Sequence, residues 1–190
     1  MIIAAWIAFL LMVATTLTAA VIDLKTGLIP NRLTYPAVLV GLIFWPVAGW
    51  VLGGGDMALA HTKAVWIGML CGLVPFTLLV LTAGLGMGDA KLMAAVGALS
   101  ASWEVVLSTT IYALIVALVL TLVIMVRKGV VKQTMGRVFS AALLASARVK
   151  ADLPKDGPTV AFAAAIAVGA TVAGAEQLLG WDSPWRGFSP

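Results

Sequence analysis

Two aspartates stand where an apolar chain is least expected to keep them. Asp23 closes the first uncharged stretch, and Asp89 lies in the turn Gly86-Met87-Gly88-Asp89. An ionisable group at bilayer depth costs roughly 2.5–3.5 kcal/mol on insertion scales, so one that persists there is a candidate for function. Two carboxylates sharing a site can hydrolyse a peptide: the ionised one takes a proton from an attacking water, and the protonated one polarises the scissile carbonyl. Such a pair resists double ionisation and titrates as a unit. The chemistry requires neither a metal nor a nucleophilic side chain, so no metal and no cofactor are expected.

Around the first aspartate the sequence reads Asp23-Leu24-Lys25-Thr26-Gly27-Leu28-Ile29-Pro30-Asn31. Gly27 can close a helix in a left-handed cap, while Pro30 lacks an N–H and drives Ile29 toward extended geometry. The first helix should therefore stop near Thr26 with Asp23 in its last turn. The plain alternative is a solvated boundary carboxylate paired with Lys25. Around the second, Gly84-Leu85-Gly86-Met87-Gly88-Asp89-Ala90-Lys91-Leu92 joins glycines that admit close backbone approach to an aspartate opening a helical run. The plain alternative there is an ordinary N-cap, with Lys91 as an interfacial anchor or a tuner of Asp89. Helix ends bias the pair weakly, favouring Asp89 as the anion and Asp23 as the acid.

The elements that must position these residues belong to a membrane protein. Of 190 residues, 62% are hydrophobic and 11% charged, against about a quarter charged in soluble domains. The pattern predicts an all-α, polytopic fold with six transmembrane helices near 2–26, 34–53, 63–83, 89–102, 104–127 and 158–180. A basic amphipathic interfacial segment is expected over 130–150, and the whole chain reads as one integral-membrane domain. The fourth uncharged stretch, 92–103, would rise only about 18 Å as a helix, so the preceding glycine-rich segment should dip into the bilayer under protein cover. The first stretch lacks a positive n-region and is long for a signal h-region, which favours a retained helix. The single Cys71 excludes a disulfide framework within one chain.

Basic residues mark cytoplasmic loops. Lys25, Arg32 and Lys91 lie beside the two aspartate motifs, and the connection 127–157 holds seven of the twelve basic residues. Trp6, Trp45, Trp50, Trp66, Trp103, Trp181 and Trp185 fall toward the opposite ends of the helices, as interfacial rings should. Six helices with both termini outside the cytoplasm satisfy both signals. They bring Asp23 and Asp89, 66 positions apart in sequence, to one cytoplasmic surface.

At this point Asp23 with Ile29-Pro30-Asn31, and Gly86-x-Gly88-Asp89-x-Lys91-Leu92, make the chain resemble the prepilin peptidase family of Gly-x-Gly-Asp aspartic proteases. It resembles especially the short peptidase-only branch serving tight-adherence (Flp-type) pili. A looser match, Pro154…Gly157-Pro158, is given no chemical role. The resemblance implies Asp23 and Asp89 as the catalytic pair, with Gly86, Gly88, Lys91, Pro30 and Asn31 in support. It implies cleavage of a prepilin's short basic leader at the cytoplasmic face of a bacterial or archaeal inner membrane, typically after a glycine. Larger relatives carry a cysteine-rich segment and N-methylate the new pilin terminus. With one cysteine and a short first loop, this chain is not expected to do so.

The remaining polar features carry less. The basic 127–157 connection suits anionic lipid and topology fixing more than it suits a basic leader. His61 reads as a solvated loop residue and Gly53-Gly54-Gly55 as a flexible turn, with no phosphate-loop lysine in register. Membrane lipids are expected partners and nucleic acid is not. The rival reading from another class is a proton- or ion-coupled transporter using buried carboxylates, and a third is an assembly subunit indifferent to its aspartates.

Overall fold

The computed structural model describes residues 2–83, 86–127, 129 and 162–181. These form five α-helices, with no strand among the described residues: α1 (Ile2–Thr26), α2 (Asn31–Ala83), α3 (Met87–Ser100), α4 (Trp103–Arg127) and α5 (Phe162–Leu179). Four of them, α1, α2, α4 and α5, are long and apolar enough to cross a membrane. The chain divides into two compact units, residues 1–116 with 161–190, and 117–160. In the second, the described residues are the end of α4 and Gly129, whose N–H donates to Val126 O at 3.1 Å. The expected basic segment 130–150 and the Pro154…Gly157-Pro158 match lie outside the described residues.

In the first unit, α2 is the longest element. Its 53 residues would make a rod of about 80 Å, far beyond the roughly 30 Å hydrocarbon core. It breaks at Gly54, whose φ of 74° and ψ of −162° lie outside the helical region and suit a residue without Cβ. Beyond Gly54 the chain turns back on itself: the His61 ring stacks on Trp45 with centroids 5.3 Å apart, and a Cβ on Gly49 would come within 2.9 Å of Ala58 Cα. The result is a helical hairpin with a first limb up to Gly54 and a second after it. His61 is thus a half-buried helical residue rather than a loop residue, and the expected gap between helices near 53 and 63 closes to one glycine. Helix on both sides of the break keeps the backbone hydrogen-bonded, and the Trp45–His61 stack covers ring surface that a loop would leave open.

Both limbs pack on α3, which forms the core. From Leu92 to Leu99 every residue of α3 is buried, and its Ala94, Ala95, Gly97 and Ala98 let neighbouring backbones come close. A Cβ on Gly68 of the second limb would sit 2.6 Å from Gly97 O, and one on Gly41 of the first limb 2.5 Å from Ala98 C. Small residues at such seams are how helices associate in lipid, where burial against a neighbour gains little over burial in acyl chains. Trp45 adds a directed bond, donating from Nε1 to Leu99 O at 2.8 Å and so satisfying one of the carbonyls a helix end leaves free. α3 stops at Ala101, left-handed at φ 48°, whose N–H donates to Gly97 O. α4 then starts behind Ser102, whose Oγ accepts the Val105 N–H at 3.3 Å in the manner of an N-cap.

α1 lies against α3 and α5. Gly174 of α5 admits Phe9 and Met12 of α1, since a Cβ there would come within 2.7 Å of the Phe9 ring and of the Met12 Cε methyl; Gly169 of α5 packs on the Thr109 carbonyl of α4. Large apolar side chains are exposed over much of the outer surface, Leu10, Ile43, Leu70 and Leu114 among them. A bilayer would cover such a surface and water would not.

Candidate active site

Three helix ends converge to build the site. α1 ends after Thr26 because Gly27 turns left-handed at φ 68°, and the Gly27 N–H donates to Asp23 O at 2.7 Å. Thr26 organises the link that follows: its Oγ1 donates to Ile22 O at 2.8 Å and accepts the Leu28 N–H at 3.3 Å. Pro30 then caps α2, its carbonyl accepting the N–H groups of Leu33 at 3.0 Å and Thr34 at 3.4 Å. A proline donor would be redundant there, so its missing N–H costs nothing.

α3 opens from Gly86, which is extended (φ −69°, ψ 134°) and makes no side-chain cap. The helix starts at Met87, so Asp89 is its third residue and not its N-cap. Asp89 N–H donates to Gly86 O at 3.1 Å, and the carboxylate folds back over the turn, where a Cβ on Gly86 would lie 3.2 Å from Oδ2. Within the described residues the irregular backbone expected over the glycine-rich segment is confined to Gly86; Gly84 and Leu85 lie outside them.

The two sequence motifs touch. Gly88 packs on Ile29, where an added Cβ would come within 2.9 Å of Ile29 Cβ and 3.3 Å of its Cγ1. Lys91 Nζ donates to Asn31 Oδ1 at 2.9 Å and lies over the Tyr35 ring, 5.3 Å from its centroid. Gly88 and Lys91 on α3, and Ile29, Asn31 and Tyr35 at the start of α2, thus form one clamp, next to Asp23 and Asp89. Sequence reasoning left Lys91 between a tuning and an anchoring role and passed over Tyr35; the signal was available, because Tyr35 follows Asn31 by one helical turn.

Asp23 and Asp89 are each half-buried. Among the described residues no group of three or more His, Cys, Asp or Glu side chains could hold a metal ion.

No curated protein and no solved structure gives a significant match to the chain. The family model of the type IV leader peptidases does match, over residues 4–126. That span takes in Asp23, the Ile29–Asn31 link, the α2 hairpin, the glycine turn with Asp89, and all of α3. A match over so much of the chain, centred on the helix ends that meet here, makes this protein a member of the type IV leader peptidase family.

Proposed function

We propose that the protein is a membrane aspartic endopeptidase that removes the short leader from prepilin-like substrates, with Asp23 and Asp89 as its acid–base pair. Membership of a peptidase family turns the reading away from a transporter. The observation that supports the aspartic mechanism is the junction of the two motifs: Gly88 packs on Ile29 and Lys91 bonds Asn31, so the helix ends that carry Asp23 and Asp89 meet. The ionised carboxylate takes a proton from water while the water oxygen adds to the scissile carbonyl, and the protonated one donates its proton to the developing oxyanion. As the C–N bond breaks, the leaving amine takes the proton held by the first carboxyl and a hydroxyl of the adduct returns one to the second, which restores the pair.

α1, the two limbs of α2, α3, α4 and α5 are read as six crossings of the bilayer, with the start of α1 and the end of α5 outward. The aspartates then face the cytoplasm, where Lys25, Arg32 and Lys91 also lie. A precursor whose apolar helix sits in lipid presents its leader junction at that surface. With one cysteine in the chain, no N-methylation of the product is expected. Incubating the solubilised protein with a prepilin and sequencing the new N-terminus tests the proposal. Loss of a leader-sized mass that disappears in Asp23→Asn and in Asp89→Asn supports it; cleavage by the double variant at the parent rate overturns it.

A further inference from the structure

A groove of about 1140 Å³ runs between the outer end of α1, from Ile2 to Ile7, and the first limb of α2, and every side chain lining it is apolar. Ile3 and Ile7 form one wall; Pro36, Val40, Ile43 and Val47 are on the other. It exists because α1 packs chiefly on α5 and α3 and only lightly on α2.

Each wall carries a helix-docking seam. On α1 the exposed residues Ile3, Ile7, Leu10, Leu17, Val21 and Leu24 fall on a single heptad stripe. On α2, Pro36, Val40, Ile43 and Val47 repeat the same four–three spacing, all exposed. Seams of this period receive a neighbouring helix at a shallow crossing angle, in membranes as in coiled coils. From Pro36 to Val51 the α2 wall is about 22 Å long, most of the hydrocarbon thickness. The groove also has a direction. Its α2 wall begins at Pro36, immediately after Tyr35 of the clamp; on α1 the groove is lined by Ile2, Ile3, Ala4 and Ile7, and the exposed stripe runs on beyond it to Leu24, the residue after Asp23.

We propose that this groove seats the apolar helix of the prepilin-like substrate, so that the leader junction emerges beside Asp23 and Asp89. The inference rests on the leader-peptidase reading above and adds where the substrate is held. Lipid covers any exposed apolar face equally. The occupant singled out by seams that converge on the two carboxylates is a helix whose end must be cut there.

A photo-reactive residue placed singly at Ile7, Val40 or Val47, and at Ile67 or Leu70 on the second limb as controls, tests this in membranes holding a tagged prepilin. An Asp89→Asn background keeps the precursor intact. Groove positions should give precursor adducts about tenfold above the controls, the ratio expected from about 1–2 kcal/mol of helix pairing. Equal adducts on both faces, or groove adducts only with lipid or with a second copy of the chain, would overturn the proposal. In the catalytically intact protein, Val47→Trp should slow precursor cleavage about tenfold while Ile67→Trp does not; equal effects would also overturn it. If the parent cleaves the precursor but groove adducts are absent, the docking surface is lost and the protease reading stands. A parent that cleaves no prepilin removes both.

Discussion

Lys91 Nζ donates a hydrogen bond to Asn31 Oδ1 at 2.9 Å, joining the first turn of α3 to the first turn of α2 across 60 residues of sequence. The same ammonium stands over the Tyr35 ring. Because Lys91 follows Asp89 by two residues, the contact fixes where the first turn of α3 sits relative to the link from α1. Asp23 is on that link's other side, so the clamp sets how the carboxylates face each other.

The clamp should therefore behave as a unit. Lys91→Met and Asn31→Ala are each expected to lower the cleavage rate about tenfold, the loss of roughly 1.5 kcal/mol from a half-exposed charge-assisted hydrogen bond. The double variant should be no slower than the worse single one, because both remove the same interaction. Rates that multiply instead would show that Lys91 acts independently of Asn31, through charge alone.

Gly88 offers a steric test of the same junction. A Cβ there would press on Ile29 Cβ at 2.9 Å, and overpacking of this kind costs about 1–3 kcal/mol. Gly88→Ala should lose about ten- to a hundredfold in cleavage rate at unchanged membrane insertion. Ile29→Ala in the same chain should restore part of it by removing Cγ1 and Cδ1. A Gly88→Ala protein that cleaves at the parent rate would mean that the two motifs need not touch.

The legible parts of this fold are the local ones. Gly27 and Pro30 punctuate the chain within a few residues of where α1 stops and α2 starts, and their backbone chemistry does not depend on what packs nearby. Gly54 is different. A triple glycine flanked by Asp56, His61 and Lys63 reads as a loop, but tertiary contact between Trp45 and His61 keeps the segment helical, and no local pattern encodes that stack. At the candidate site, the pairing of Asp23 with Asp89 followed from charge bias and helix counting. Which group fills the space at Gly88, and what Lys91 bonds, did not, because both depend on residues about 60 positions away.

Trp45 links the hairpin to the core helix, and the cost of removing its bond is measurable. Trp45→Phe keeps an aromatic ring for His61 but loses the N–H that donates to Leu99 O at 2.8 Å. It leaves a buried carbonyl short of a partner, at about 1–2 kcal/mol. Thermal unfolding in detergent should shift down by a few degrees, while Trp45→Ala, which also removes the stack, should shift further. Equal shifts would mean that the stack contributes nothing, and an unshifted Trp45→Phe would mean the same of the hydrogen bond.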